Sequence, residues 1–359
     1  MNNIFHHIIH TSGKQTLQSL LLGILCFSFS ICVFPIRASA HSPSTIVDMA
    51  GRNVIVSGRA ERIITTFKPA TLSVLSLGLA DRLVAVDSHS PRVEINTAVY
   101  PAMRDLPKIG NRSMGLNLET IMSLKPDLVI LYAQKDGIRI ADRLAGYHIP
   151  AVVIVPENMA AIKDTLRIIA QAAGCPERAD RAIQAVDHIM SVVGTRINGL
   201  PDQRRKTVYY AGPKGFFSTA SGNMLQDEMI SMAGGINAAH AFTGFFKSIS
   251  PEQFVQWNPD AVLACREIRS SAGKYLRKPE LAEVTAIKTR QVFCIPSSNA
   301  PWDFPSPLSA LGVLWAGKRL YPDRFQDVDL IKEIDQFHEI LFSRSFTEIG
   351  GRLADTVNP

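Results

Sequence analysis

The chain divides at its centre, where residues 174–198 read GCPERADRAIQAVDHIMSVVGTRIN. Gly174 and Pro176 separate this stretch from the helical pattern before it, and proline suits the first turn of a new helix. Apolar residues then recur every three or four positions as far as Ile197, which is the helical period. A helix of about 22 residues is about 33 Å long. We therefore predict one stiff helix that joins two halves of the molecule and allows only limited hinge motion.

Short β-branched runs, each followed by a helical pattern, occur on both sides of this helix. The runs are residues 62–66, 83–87, 127–131 and 151–155 in the first half, and 207–211, 261–265 and 291–295 in the second. Continuous apolar strands that alternate with helices are typical of parallel sheets covered on both faces. The predicted fold class is therefore α/β, with two doubly wound parallel-sheet lobes, the single long helix between them and a ligand cleft between the lobes. A hairpin is predicted over residues 45–56, around Gly51.

The first forty residues differ from the rest of the chain. A polar start precedes an apolar run from Leu17 to Phe34, and the small residues Ala38 and Ala40 fit a signal-peptidase site. We predict a cleaved signal peptide over 1–40, cut after Ala40, and an exported protein. No later apolar stretch approaches the roughly 20 residues that span a bilayer. The other predicted segments are an N-terminal lobe over 41–175, the interlobe helix over 176–200, a C-terminal lobe over 201–343 and a tail over 344–359, for which disorder is one expectation.

Composition and motifs exclude several function classes. The chain has 38 Lys+Arg against 32 Asp+Glu, and its longest basic run is Arg204-Arg205-Lys206, so a nucleic-acid partner is not expected. The mature chain contains no Gly-x-Ser-x-Gly, His-Glu-x-x-His, Cys-x-x-Cys or Gly-x-Gly-x-x-Gly motif. Its histidines are scattered, without the spacing of a structural metal site. We therefore predict no catalytic residues and no resident cofactor, and a secreted α/β enzyme is the less favoured alternative.

Three cysteines follow the predicted signal, namely Cys175, Cys265 and Cys294. Because the number is odd, at least one thiol is unpaired or pairs between chains. Cys265 and Cys294 each end an apolar run, so their sulfur atoms could meet if the runs are neighbouring parallel strands. The two alternatives are a disulfide and two buried thiols that act as small hydrophobic residues.

Basic and aromatic residues follow several of the predicted strands. Ligands of open α/β sheets bind outside the carboxyl ends of strands, so these residues are candidates to line the cleft. Guanidinium and ammonium groups pair with oxygen atoms, and rings cover apolar faces, which suits a large anionic ligand with flat parts. For any single residue, an ordinary exposed position is the alternative. The candidates are Phe67, Lys68, His89, Arg92, Arg112, Tyr132, Lys135, Lys214, Phe216, Phe217, Phe245, Arg266 and Trp302.

Several motifs in order resemble a known family. In the first lobe they are Gly51-Arg-Asn-Val, Arg62-Ile-Ile, Pro107-Lys-Ile-Gly110, Gly115-Leu-Asn-Leu-Glu119 and Leu124-Lys-Pro-Asp-Leu-Val-Ile130. In the second lobe they are Ser221-Gly222, Gly234-Gly235-Ile-Asn237, Ile249-Ser-Pro-Glu252 and Trp257-Asn-Pro-Asp-Ala-Val262. Together they resemble the periplasmic substrate-binding proteins of iron-siderophore, haem and vitamin B12 ABC importers, over residues 45 to 342. That family has two α/β lobes linked by a helix.

The resemblance implies a function and partners. The expected protein is periplasmic and monomeric, and it delivers a small metal chelate to an ABC permease with its ATPase. In the family an acidic residue on each lobe docks the permease, and Glu119 and Glu252 occupy those motifs here. The stretch from Asn299 to Ser306 resembles a branch associated with iron compounds, which favours a ferric siderophore-like ligand. Cobalamin, haem or another metal chelate is the alternative, and a signalling or adhesion role of the same fold is a further one.

Overall fold

The structure is a computed structural model that describes residues 43–111, 113–296 and 299–353. The predicted signal peptide, with its cut after Ala40, lies outside the described residues. The strands are β1 (Ser44–Val47), β2 (Asn53–Val56), β3 (Ile63–Thr65), β4 (Leu83–Val86), β5 (Gly110–Asn111), β6 (Gly115–Leu116), β7 (Leu128–Tyr132), β8 (Ala151–Ile154), β9 (Thr207–Ala211), β10 (Ser218–Thr219), β11 (Ile236–Asn237), β12 (Lys247–Ser248), β13 (Ala261–Ala264) and β14 (Val292–Cys294).

Helices alternate with these strands. The α-helices are α1 (Lys68–Ser76), α2 (Glu94–Val99), α3 (Leu118–Ser123), α4 (Gly137–Gly146), α5 (Met159–Ala172), α6 (Pro176–Ile197), α7 (Leu225–Met232), α8 (Pro251–Trp257), α9 (Arg269–Leu276), α10 (Thr285–Lys288), α11 (Ser309–Leu320) and α12 (Leu330–Phe342). Short 3₁₀ helices cover Ala80–Arg82, Ser90–Arg92, Pro101–Arg104, Asp202–Arg204, Arg266–Ile268, Pro279–Leu281 and Pro322–Phe325.

Two four-stranded parallel sheets form the lobes. The N-terminal sheet has the strand order β4-β3-β7-β8, and the C-terminal sheet has the order β11-β9-β13-β14. In both lobes the chain lays its second strand on one side of the first strand and the later strands on the other side. The predicted fold class, two doubly wound parallel-sheet lobes, is therefore confirmed.

Burial explains why these runs become strands of the two parallel sheets. Every residue of β7, β8 and β13 is buried, because helices cover both faces of a parallel sheet. The strands β1 and β2 instead pair antiparallel as the predicted hairpin, with Ser44 opposite Val56. Their alternating burial is typical of a sheet with one face packed on the protein and one face exposed to solvent.

The long helix α6 lies where the sequence predicts it. Pro176 occupies its first turn, and one stripe of apolar residues, from Ala179 to Ile197, is buried. This stripe contacts α5 of the N-terminal lobe and α11 and α12 of the C-terminal lobe. Helix α12 also contacts α1, so the lobes are held together by packed helices on this side.

Cys265 and Cys294 are close to each other at the ends of β13 and β14, as the sequence predicts. The Sγ atom of Cys294 lies 3.8 Å from the backbone oxygen of Cys265, and both side chains are buried thiols rather than a disulfide. Burial raises the pKa of Cys265 above its usual value. These two residues therefore follow the second alternative, that of small buried hydrophobic residues.

Residues 344–353 pack against the C-terminal lobe, contrary to the expectation of a disordered tail. Phe346 is buried, and its ring centroid lies 5.9 Å from that of Trp302. The hydroxyl and backbone N–H of Thr347 donate hydrogen bonds to Asp335 on α12. Residues 354–359 lie outside the described part. Within the part that is described, helices long and apolar enough for a membrane span are absent.

Candidate ligand cleft between the lobes

A cavity of about 440 Å³ lies between the carboxyl ends of the two sheets. From the N-terminal lobe it is lined by Thr66, Phe67, Lys68, Pro69, Asp87, His89, Asn111, Ser113, Tyr132, Gln134, Pro156 and Glu157. From the C-terminal lobe it is lined by Tyr210, Pro213, Met224, Leu225, Gln226, Phe245, Phe246, Glu267, Pro301, Asp303, Phe304 and Pro305.

Sheet topology explains why the cavity forms there. In a doubly wound sheet the connections leave in opposite directions at one point, and a crevice opens beyond the strand ends at that point. This topological switch point lies between β3 and β7 in one lobe and between β9 and β13 in the other. The loops after these four strands supply Thr66, Gln134, Pro213 and Glu267 to the cavity. Both crevices therefore open into the same cleft.

The N-terminal wall combines a pair of tilted aromatic rings with a buried hydroxyl network. The rings of Phe67 and Tyr132 lie 5.0 Å apart between centroids. Behind them, the hydroxyl of Thr71 lies 2.8 Å from that of Ser90, and the Ser90 hydroxyl donates to the carboxylate of Asp87. Asp87 also accepts a 2.8 Å hydrogen bond from the backbone N–H of His89. This network fixes the loop that carries His89 at the cleft.

The C-terminal wall contains a buried Tyr–Asp pair. The hydroxyl of Tyr210 donates to Oδ2 of Asp303 over 2.7 Å, and Nε2 of Gln226 donates to the Asp303 backbone oxygen over 2.8 Å. Burial raises the pKa of Asp303 to about 6, and the nearby Glu267 carboxylate adds to the rise, while the bond from Tyr210 opposes it. Burial also raises the pKa of Tyr210 well above its usual value.

Aromatic side chains extend from the walls to the rim. Phe246 stacks on Tyr210 with the ring centroids 6.2 Å apart, and Phe245 next to it is 64% exposed. Across the cleft, Nζ of Lys68 lies 4.9 Å from the ring centroid of Phe304, a cation–π contact between the lobes. Six of the 24 residues that line the cavity are Phe or Tyr.

Direct polar contacts also join the lobes beside the cavity. Arg266 makes two hydrogen bonds to the carboxylate of Glu94, of 2.6 and 3.1 Å. Burial by itself would raise the pKa of Glu94, but the hydrogen bond from Arg266 acts in the opposite direction, and the pKa is lowered. The backbone N–H of Ile95 donates to the backbone oxygen of Asn299 over 2.9 Å. These contacts hold one edge of the cleft closed.

The structure places the predicted cleft residues in different surroundings. The five that line the cavity are Phe67, Lys68, His89, Tyr132 and Phe245. Lys135 is exposed and borders a depression of about 50 Å³ beside it. Arg92 and Lys214 are exposed but do not line the cavity, and Arg266 pairs with Glu94. Arg112 lies outside the described residues.

Three predicted aromatic residues point into the C-terminal lobe instead of the cleft. Phe216 is fully buried against Phe254 and Tyr275, and Phe217 packs on the same cluster. Trp302 is fully buried against Phe346. A strand-end position brings a loop to the cleft, but successive loop residues point in different directions, and these rings are on the core side.

Sequence reasoning did not select the acidic residues of the cavity as ligand-binding candidates. Asp87, Glu157, Glu267 and Asp303 all line it. They follow strand ends just as the basic candidates do, so the same positional signal would have found them. Gln226 was also missed, because it comes from the first turn of α7 rather than from a strand end. Clusters of three or more His, Cys, Asp or Glu able to hold a metal ion are absent from the described residues.

Glu119 and Glu252 lie at matching positions on the surfaces of the two lobes. Each is the second residue of a short helix, α3 or α8, and is exposed. Asn117 and Ser250 cap these helices, and the Asn117 and Ser250 side chains accept backbone hydrogen bonds of 3.0 and 3.2 Å. A hydrogen bond from its own backbone and another from Ser250 lower the pKa of Glu252. Both lobes thus present a carboxylate at a helix N-terminus.

Comparison with known proteins agrees with this architecture. The family model described as periplasmic binding protein matches residues 63–299. The chain belongs to the periplasmic binding protein family. The predicted resemblance to the binding proteins of ABC importers is therefore confirmed.

Relatives in this family bind different ligands. The molybdate-binding protein MolA of Haemophilus influenzae is 25% identical over 92% of this chain and 97% of its own length. The vitamin B12-binding protein of Yersinia pestis is 29% identical over 57% of this chain and 69% of its own length. The structure of MolA bound to molybdate superposes with a TM-score of 0.73 at 24% identity, covering 84% of this chain and 98% of MolA. These relatives are binding proteins, and their ligands are not alike.

Proposed function

We propose that this protein is the periplasmic solute-binding component of an ABC importer, and that it captures a metal chelate in the interlobe cleft. It passes the chelate to a membrane permease driven by its ATPase. The ligand class that we propose is a ferric siderophore-like complex. The metal arrives within the ligand, so the protein itself contributes walls and hydrogen bonds rather than metal ligands.

The observation that carries this proposal is the aromatic lining of the cavity. Its aromatic residues are Phe67, Tyr132, Tyr210, Phe245, Phe246 and Phe304. A volume of about 440 Å³ lies within the range of roughly 300–1,000 Å³ that small-molecule sites occupy. It equals the liquid volume of about 15 water molecules, so a tetrahedral oxyanion with its five non-hydrogen atoms would leave most of it to water. A chelate with apolar faces uses such walls better.

The charged residues that line the cavity favour one class of chelate over another. The described lining contains Lys68 and His89 against the carboxylates of Asp87, Glu157, Glu267 and Asp303. This balance argues against the sequence-based expectation that the basic residues after the strands make the cleft suitable for a large anionic ligand. A ferric tris-catecholate is trianionic, whereas a ferric tris-hydroxamate core is neutral. We therefore favour the neutral type.

A second candidate ligand is a tetrahedral oxyanion. Helix α1 begins at the cavity with Lys68, and its N-terminus has no side-chain cap. The N-terminal amides of a helix attract anions, and an adjacent ammonium group adds to this. The relative MolA is named for molybdate binding. This observation favours an anion at one end of the cavity.

The test is isothermal titration calorimetry of the purified protein against a panel of ligands. The panel contains a ferric tris-hydroxamate, a ferric tris-catecholate, molybdate, haem, cobalamin and nickel with histidine. Submicromolar saturable binding of the tris-hydroxamate, with weaker binding of the others, is the expected result. If molybdate binds most tightly, the proposed ligand class is an oxyanion instead of a chelate. If cobalamin or haem binds most tightly, the ligand is not a ferric siderophore-like complex. No measurable binding of any ligand in the panel would overturn the chelate proposal.

Substitution of Lys68 separates the two candidates further. Loss of a charged hydrogen-bond donor costs about 1.5–3 kcal/mol, so Lys68→Met should weaken an oxyanion by at least about tenfold. A neutral chelate should lose less than about threefold, because Lys68 contributes mainly its contact with Phe304. Lys288→Met is the matched control, since Lys288 is exposed on the C-terminal lobe and pairs with Glu283.

A further inference from the structure

We propose that Tyr210, Gln226 and Asp303 form a recognition site for a cationic hydrogen-bond donor on the transported ligand, an ammonium group above all. This inference rests on the proposed function and specifies one part of the chelate. It concerns the C-terminal wall of the cavity, where all three side chains line the space.

The first observation is an unused acceptor on Gln226. The Gln226 residue is only 8% exposed, and its Nε2 is committed to the backbone oxygen of Asp303. Its Oε1 atom is buried and has no hydrogen-bond partner among the described residues. A buried acceptor left unpaired is destabilising, and because the residue Gln226 lines the cavity we infer that a ligand donor completes this atom.

The second observation is the orientation of the Asp303 carboxylate. Tyr210 donates to Oδ2 over 2.7 Å, the carboxylate also accepts a hydrogen bond from its own backbone, and Oδ1 takes no hydrogen bond from another described side chain. The bond from Tyr210 and the bond from Gln226 to the Asp303 backbone fix this residue on the wall. Oδ1 of Asp303 and Oε1 of Gln226 are therefore two acceptors on one wall.

The third observation is the electrostatic environment of Asp303. The titratable groups that act on it from its own lobe are Tyr210, Cys265 and Glu267. The charged or titratable groups across the cavity are Lys68, Asp87, His89 and Glu157. Burial raises the pKa of Asp303 to about 6, so the carboxylate is ionised at neutral pH. Among the described residues, no Lys, Arg or His side chain forms an ion pair with Asp303. A cationic group on the ligand would supply the missing partner.

Two forms of one probe test this inference. Ferrioxamine B is a linear ferric tris-hydroxamate with one free ammonium group, and its N-acetylated derivative has the same chelate without the charge. Titration calorimetry of the full protein at pH 7.5 should give at least about tenfold tighter binding of the ammonium form. Asp303→Asn should reduce this preference to less than about twofold. Glu280→Gln, a change of an exposed carboxylate outside the cavity, should leave it intact.

A pH series tests the same site in the unmodified protein. The preference for the ammonium form should fall between pH 7.5 and 5.0, because Asp303 takes up a proton near pH 6. His89 is a second titratable group that faces the cavity, so the Asp303→Asn variant must lose this pH dependence if Asp303 is its source. If that variant does not fold, Gln226→Leu replaces it. Gln226→Leu should lower the affinity for the ammonium form by about fivefold or more and leave the acetylated form nearly unchanged.

The outcomes separate the inference from the proposed function. Equal affinities for the two forms, or tighter binding of the acetylated form, would overturn the inference and leave a chelate-binding protein. A preference that survives both Asp303→Asn and Gln226→Leu would place the cation elsewhere and overturn it as well. If neither form binds and the remaining chelates of the panel also fail, the proposed function falls together with the inference.

Discussion

His338 is a buried titratable residue away from the cleft. Its ring centroid lies 5.3 Å from those of Phe342 and Phe346, and neither ring nitrogen has a hydrogen-bond partner among the described residues. Burial lowers the pKa of His338 to about 4, and the charge of Asp335 opposes this only in part. The unfolded chain titrates near pH 6.5. The folded protein therefore keeps a neutral imidazole where the unfolded chain is already charged.

This difference predicts acid sensitivity of the fold. As pH falls through the window from about 6.5 to 4, only the unfolded chain gains the proton, and the free energy of unfolding falls by up to about 3 kcal/mol. His338→Leu should remove this loss, as measured by denaturant unfolding at pH 7, 5.5 and 4.5. His188→Leu, a change of an exposed histidine on α6, is the control. If the free energy of unfolding of His338→Leu falls with pH as much as that of the parent protein, the prediction is wrong.

Asp303 acts on stability with the opposite sign. Its pKa is about 6 in the fold and about 3.9 in the unfolded chain, so the fold loses stability as pH rises through this window, by up to about 3 kcal/mol. The two groups therefore offset each other between about pH 4 and 6. Asp303→Asn should steepen the acid loss of the parent protein in the same unfolding series. An unchanged loss in that variant would mean that the pKa of Asp303 is the same in the folded and the unfolded chain, and a shallower loss would mean that folding lowers it.

At the scale of elements, periodicity was sufficient for α6 and for seven of the eight strands of the two parallel sheets, because burial on both faces or along one stripe imposes a regular pattern on sequence. The two-residue strand β11 is too short to show such a pattern and was not predicted. Side-chain direction in loops has no such pattern. Trp302 packs into the core while the next residue, Asp303, lines the cavity, and both follow the same strand. The resemblance to a family did not help here either, since its ligands differ. The cleft position was thus predictable, whereas its charge balance was not.

The ion pair between Glu94 and Arg266 joins α2 to the loop after β13, and it predicts an effect on ligand release. Both side chains are partly exposed, so the pair contributes up to about 1 kcal/mol. Glu94→Gln should speed dissociation of the tightest-binding chelate by up to about fivefold in stopped-flow displacement at low salt. The difference should shrink above about 0.5 M salt, because screening weakens the pair.

The control for this pair is an exposed ion pair within one lobe. Glu283→Gln breaks the contact with Lys288 in the C-terminal lobe and should leave the dissociation rate unchanged. Arg266→Gln should match Glu94→Gln, and the double variant should be no faster than either single variant. Additive effects of the two substitutions would mean that the residues act separately and not as a contact between lobes.

At the scale of the whole molecule, the two lobes repeat one design. Both have the same strand order, both open a crevice into the shared cleft, and both carry a capped short helix with an exposed glutamate at its second position. A helix N-terminus by itself favours a carboxylate, so Glu119 and Glu252 have a local reason to be there. Their repetition on both lobes supports the further proposal that they orient the protein on a two-part permease.

Reversal of both charges tests the docking proposal. The double variant Glu119→Arg plus Glu252→Arg should bind ligand with unchanged affinity in calorimetry, since both residues lie outside the cavity lining. In proteoliposomes with the cognate permease and ATPase, its ligand uptake should fall by about tenfold or more, because charge pairs at the interface become repulsive. Glu177→Arg, which reverses an exposed glutamate in the first turn of α6, should retain uptake. Uptake by the double variant at the parent rate would mean that these carboxylates serve only their helices, and the permease contact would then have to be sought on other surfaces of the lobes.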